Sequence, residues 1–153
     1  MSAFLLDTNV ISELVRPKPE PKVTAWIDAT DEDRLFLSVL TLGEIRKGVV
    51  LLPRSARRTA LDVWLSEELL FRFSDRILGV DLEVADRWGH LAGLTGAKGV
   101  QLSVIDGLLA ATAIQHNLTL VTRDTSDVAA TGVSLFNPWT DASSVANRIA
   151  QRR

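Results

Sequence analysis

Phe4-Leu5-Leu6-Asp7-Thr8-Asn9-Val10-Ile11-Ser12-Glu13-Leu14-Val15 is the stretch on which the reading turns. Phe4-Leu5-Leu6 is a short, fully apolar run, as expected of a parallel strand buried on both faces. It stops at Asp7, and Val10, Ile11, Leu14 and Val15 then recur at helical spacing. The stretch is therefore a strand, a carboxylate and a helix, with no intervening loop. In an open α/β sheet, ligands bind in the crevice outside the carboxyl ends of the strands. Asp7 sits at such an end.

The same arrangement returns along the chain. Pro17, Pro19 and Pro21 stop the first helix and stiffen the connection to a short helix from Val23 to Ala29, and Asp31-Glu32-Asp33 reads as an acidic turn. Arg34 to Ser38 reads as the second strand. Thr41 is expected to open the next helix, which carries Leu42, Ile45 and Val49 and ends near Pro53. Ser55 to Phe73 is the longest helical pattern, and Ile77 to Val80 the third strand. Asp81 precedes a helix through Val84, Ala85, Trp88 and Leu91, with Gly93, Gly96 and Gly99 marking its loosened end and a loop. Ser103 begins an apolar helix to about Gln115. Thr119-Leu120-Val121 is the fourth strand, Thr122 to Ala130 a polar connection, and Val133 to Phe136 the fifth strand. Alternation of this kind predicts the α/β class, with a mostly parallel central sheet of about five strands covered by helices on both faces. Residues 1–140 read as a single domain and 141–153 as a tail with a short helix or a frayed end.

Four carboxylates follow or closely adjoin short apolar runs, three of them just inside the start of an expected helix: Asp7, Glu44, Asp106 and Asp124. Each has a local structural role open to it. Asp7 is placed to cap the helix that follows, Thr41-Leu42-Gly43-Glu44 has capping-box spacing, Ser103-Val104-Ile105-Asp106 is close to it, and Asp124 lies in a turn. Capping needs only local geometry, and does not require all four on one edge of the sheet. A metal site does. Carboxylates brought together repel and raise one another's pKa, which divalent cations relieve. All-oxygen ligands suit Mg²⁺ or Mn²⁺, and such sites serve phosphoryl chemistry. Thr8, Asn9, Ser38 and Thr122 are candidates to orient those carboxylates, and Asp127 is a further acid three residues beyond Asp124.

Composition narrows the chemistry. The chain of 153 residues suits one domain with a true core, and its 46% hydrophobic and 24% charged content is that of a soluble protein. There is no cysteine, which removes disulfides, thiolate zinc sites and a cysteine nucleophile and agrees with a cytoplasmic location. His90 and His116 are too few for a histidine-rich metal centre. The N-terminus does not read as a signal peptide, and no apolar run approaches a membrane span. A formal charge of −2 argues against a broad basic coat. Local clusters remain: Arg46 and Lys47; Arg54, Arg57 and Arg58; and Arg148, Arg152 and Arg153. They are either a solvated face or a means of steering phosphate toward the acids.

Taken in order, Leu5 to Leu14, Ser38 to Ile45, Asp106 to Ala113 and Leu120 to Asp124 resemble the four motifs of PIN-domain ribonucleases, and Thr131-Gly132-Val133 continues as that family often does. Within it the chain is most similar to VapC-type toxins of bacterial toxin–antitoxin pairs, FitB-like proteins included. The resemblance implies a PIN-like α/β/α sandwich and Mg²⁺- or Mn²⁺-dependent endonucleolytic cleavage of RNA. Asp7, Glu44, Asp106 and Asp124 carry over as the acidic site, with an antitoxin partner and a homodimer expected. There is one departure: many relatives read Thr-Arg-Asn after the fourth strand where this chain has Thr122-Arg123-Asp124. Val23, Trp26 and Ile27, with Val49 to Leu52, are apolar residues open to two readings, surface for association or, residue by residue, packing in the core. A haloacid-dehalogenase-like phosphatase would want Asp where Asn9 stands, and a phosphoreceiver domain would want an acidic pair at the first strand end and a lysine where Arg123 stands. A noncatalytic module of the same fold would not need four acids.

Overall fold

Leu5 and Leu6 are both completely buried, yet they face opposite ways. Leu6 joins a cluster with Val10, Ile11, Val23, Leu35 and Leu37, and Leu5 one with Leu109, Ala110, Ala113 and Leu120. Alternation along a strand sends neighbours to opposite faces. The run is continuously apolar because helices cover both.

The computed structural model describes residues 2–141. The expected tail helix and the arginines from Arg148 onward lie outside the described residues. The strands are β1 (Phe4–Leu6), β2 (Leu35–Ser38), β3 (Ile77–Leu78), β4 (Thr119–Val121) and β5 (Leu135–Phe136). They form one five-stranded sheet in the order β3-β2-β1-β4-β5, every pair parallel. Phe4 lies opposite Leu35 on one side and Thr119 on the other. The helices are α1 (Thr8–Leu14), α2 (Pro21–Ala29), α3 (Val39–Leu51), α4 (Ala56–Val63), α5 (Leu70–Arg72), α6 (Leu82–Ala97), α7 (Val104–Gln115) and α8 (Thr125–Val128). Side chains of α1, α2 and α3 pack on one face of the sheet, and those of α7 and α8 on the other. The three-layer α/β/α expectation holds, and the sheet is wholly rather than mostly parallel. Chain order reverses at β1: β2 and β3 build outward on one side, β4 and β5 on the other. The switch point lies between the carboxyl ends of β1 and β4.

Several boundaries depart from expectation. The helix after β2 starts at Val39, because Ser38 Oγ accepts the Leu40 N–H and caps it. The Ser55–Phe73 pattern is one helical path interrupted by a π-turn over Trp64–Leu69, which keeps Leu65 and Leu69 buried. α6 continues through Gly93 and Gly96 and ends at Ala97; Gly99, at φ +76°, makes the turn that follows. The Thr122–Ala130 connection contains α8 and a 3₁₀ turn. Glu32 is more than surface charge: it pairs with Arg72 and Arg76, and the buried Arg76 guanidinium also donates to the Leu35 carbonyl. The apolar residues considered for association divide. Val23, Trp26, Ile27 and Val49 belong to the core, while Val50 and Leu51 are exposed. The former lie on helix faces turned to the sheet, which composition cannot separate from a surface patch.

α7 approaches α6 closely at Gly107. A β-carbon there would stand 2.8 Å from Trp88 Cδ1 and 2.9 Å from Trp88 Nε1. This contact sets how α7, and with it Asp106, sits beside the sheet.

Candidate active site

Asp7 caps α1. Its Oδ1 accepts the Thr8 N–H at 2.7 Å, and its own N–H donates to the Val121 carbonyl at 2.9 Å. The residue is thus fixed between β1 and β4 by backbone bonds. Its Oδ2 accepts the Thr122 hydroxyl at 2.8 Å. Burial pushes its pKa up, the Thr122 and Thr8 hydrogen bonds pull it down, and the charges of Asp106 and Glu44 push it up again; the net shift is upward. Asp7 therefore shares one electrostatic environment with two acids from distant parts of the chain.

Thr8 and Thr122 tie the carboxylates together. The Thr8 hydroxyl donates to Glu44 Oε1 at 2.6 Å, while its backbone N–H serves Asp7. Glu44 therefore does not take up the alternative role of closing a capping box with Thr41. Ser38 already caps α3, and Glu44 lies in the second turn, turned toward α1. Thr122, almost fully buried, donates to Asp7 and accepts from Asn9 Nδ2 at 3.2 Å and from the Asp124 N–H at 3.1 Å. Asn9 Nδ2 also donates to Asp124 Oδ2 at 3.2 Å. Asp106 lies in the first turn of α7, where its N–H donates to Ser103 Oγ. Its carboxylate makes no hydrogen bond among the described residues. Asp127 is exposed, and its N–H donates to the Asp124 carbonyl. Ser38 is buried and occupied as a cap. His90 lies within α6 and His116 caps α7.

Replacing Thr122 by Val keeps the shape and removes three hydrogen bonds. The expected loss is about 1–3 kcal/mol, because buried polar atoms are left unsatisfied. The Asp7 carboxyl should titrate higher still, since the hydroxyl now lowers its pKa. Urea denaturation and carboxyl NMR titration measure both. An unchanged Asp7 titration would refute the bridging role.

Among the described residues, no three acidic or histidine side chains converge on a single point as direct ligands. The donor set nevertheless fits a hydrated hard cation. Mg²⁺ is commonly held through one or two carboxylates with waters completing the shell. Here an Asp106 carboxylate without a hydrogen bond among the described residues and an Asp7 raised chiefly by burial, and further by the charges of Asp106 and Glu44, are the two features that a cation would relieve. Asp7, Glu44 and Asp124 are thus joined through Thr8, Asn9 and Thr122 at the switch point of a parallel sheet, the place where open α/β folds bind ligands.

The PIN domain family model matches residues 4–131, and the chain belongs to that family. It is 42% identical over 138 residues to Toxin FitB of Neisseria gonorrhoeae, covering 90% of this chain and 99% of the relative. It is 39% identical over 139 residues to VapC ribonuclease Y4jK of Sinorhizobium fredii, covering 91% and 99%. The crystal structure of FitAcB from Neisseria gonorrhoeae superposes with a TM-score of 0.86 at 41% identity, covering 90% of this chain and 99% of that one.

Proposed function

We propose that this protein is the toxin of a toxin–antitoxin pair, an endoribonuclease that hydrolyses RNA phosphodiester bonds at the Asp7–Glu44–Asp106–Asp124 crevice with Mg²⁺ or Mn²⁺. The observation that carries the reading is the bonded network joining Asp7, Glu44 and Asp124 at the switch point, with Asp106 charged beside it. The relatives named as a toxin and as a ribonuclease support the activity.

Asp7 and Asp106 would hold the principal cation, with Asp124 a direct or water-mediated ligand. When bound, it would supply positive charge to the scissile phosphate and acidify the attacking water. Glu44, fixed by Thr8, orients that water or helps to hold a second cation. Thr122 and Asn9 keep Asp7 and Asp124 in register. Water oxygen adds to phosphorus and gives up a proton to solvent, the bridging P–O bond breaks, and the departing oxygen takes a proton from solvent water. No protein nucleophile is required. The cation is Mg²⁺ or Mn²⁺ on donor chemistry alone.

An antitoxin partner, a homodimer and a cytoplasmic location are part of the same proposal. Among the described residues, no helix is long and apolar enough to cross a membrane. Incubation with a structured RNA in Mg²⁺, in Mn²⁺ and in EDTA tests the reading. Metal-dependent internal cleavage is expected, and an intact RNA under both metals would refute it. Co-expression with the product of the adjacent reading frame tests the pairing. Suppressed cleavage and co-purification are expected, and neither occurring would refute it.

A further inference from the structure

An acidic crevice that takes RNA needs a cation of its own at the rim. Most arginines among the described residues are already engaged. Arg16 pairs with Glu13, Arg46 with Asp62, and Arg72 and Arg76 with Glu32, while Arg57 and Arg58 donate to main-chain carbonyls. The α3–α4 cluster is thus largely tied into the fold. Arg123 is different. It stands between the buried Thr122, which bonds Asp7, and Asp124. Its main chain is anchored twice: its N–H donates to Asn9 Oδ1 at 3.3 Å, and its carbonyl accepts from Asn137 Nδ2 at 3.3 Å. Its guanidinium lies 5.3 Å from the centroid of the Trp139 ring. Trp139 is itself packed against the core and held by an N–H bond to Asn137 Oδ1. Arg123 is an exposed residue, and its guanidinium makes no hydrogen bond among the described residues; its positive charge is felt by Glu13.

We propose that Arg123, propped on Trp139, grips a backbone phosphate of the RNA strand beside the phosphate being cleaved. This rests on the ribonuclease reading above. The five donors of a guanidinium suit bidentate binding to phosphate. The aromatic shelf limits the rotamer freedom that a long side chain would otherwise lose on binding, so the group is pre-set before RNA arrives. The site is sequence-tolerant, because a phosphate contact positions the strand and reads no base.

The test is steady-state cleavage of a fluorescent single-stranded RNA over a series of salt concentrations. It compares wild type with Arg123→Gln, Arg123→Lys and Trp139→Leu, and uses Arg87→Gln as a distant control for lost charge. Arg123→Gln should raise KM about tenfold with kcat within about twofold. It should also flatten the dependence of log kcat/KM on log salt by about 0.7, the share of one phosphate contact on a single strand. Arg123→Lys should fall between, keeping the charge without the planar fork. Trp139→Leu should raise KM in the same sense, and Arg87→Gln should leave it unchanged. Unchanged KM and salt slope in Arg123→Gln overturn the proposal, as does a loss confined to melting temperature or kcat. A wild-type protein that cleaves no RNA overturns the ribonuclease reading first, a result distinct from either.

Discussion

Asp106→Asn should lower RNA cleavage by about a thousandfold or more, the scale on which single electrostatic contacts to a transition state are lost, and should leave the fold intact. The two halves of this expectation have separate causes. The carboxylate of Asp106 makes no hydrogen bond among the described residues, so its replacement by an isosteric amide removes no internal bond. The bond that helps to start α7 runs from the Asp106 N–H to Ser103 Oγ and survives the substitution. The charge of Asp106 also raises the pKa of Asp7, so its removal should let Asp7 titrate lower and ionise at less cost. The metal-free variant is therefore expected to melt no lower than wild type, and slightly higher at neutral pH. Cleavage kinetics, thermal melts and carboxyl NMR together read these effects. Wild-type cleavage by Asp106→Asn under saturating Mg²⁺ or Mn²⁺ would remove Asp106 from the site.

Asp7 was legible as a strand-end acid because strand, carboxylate and helix follow one another without a loop. Phe4-Leu5-Leu6-Asp7 shows this most plainly. Apolar runs reveal buried parallel strands, and the ends of β1 and β4 mark the edge where Asp7 and Asp124 stand, whereas Glu44 and Asp106 are carried within α3 and α7. What joins the acids was less legible. The capping-box spacing of Thr41 and Glu44 offered a local bond as the alternative role, and that bond is not made, because Ser38, one position before the helix, already satisfies the cap. Glu44 was then available to Thr8, thirty-six residues away. That partnership depends on how α1 and α3 lie against the sheet, which spacing along either helix does not encode. Thr122 was recognised as a neighbour of Asp124, but its bonds to Asp7 and Asn9 cross from β4 to β1 and need the strand order. The strand order itself has no signature in alternation. The Arg123–Trp139 pairing was missed outright. Arg123 was visible inside a motif, and Trp139 lies beyond β5, so only the parallel pairing of β4 with β5 brings them together. The apolar residues considered for association divided between core and surface for a related reason. Val23 and Trp26 have the composition of a patch and the geometry of a core, and only the side of α2 that meets the sheet distinguishes the two.

Millimolar Mn²⁺ or Mg²⁺ should raise the melting temperature of the wild-type protein, and the gain should depend on pH in a definite direction. A ligand that binds only the native state at about a hundred times its dissociation constant adds about 2.7 kcal/mol. For a domain of this size that is about 5–10 °C. Without metal, the sign follows from Asp7, whose native pKa lies above its unfolded value. The stability supplied by a protonated Asp7 is fully present below the unfolded pKa and is lost as pH rises through the raised native one. A cation acts oppositely, because it competes with the proton for the same carboxylate. The difference between metal-loaded and metal-free melting temperatures should therefore be small in acid, widen as pH rises through the Asp7 titration, and level off once Asp7 is ionised. Asp106→Asn should shrink that difference at neutral pH, since a ligand is missing and the metal-free form is already relieved of one repulsion. Melts across a pH series with and without Mn²⁺, paired with calorimetric titration, measure every part of this. A melting temperature indifferent to millimolar metal at neutral pH, with no heat of binding, would leave the carboxylates as an electrostatic burden with no cation to explain it, and the metal-dependent mechanism would fall.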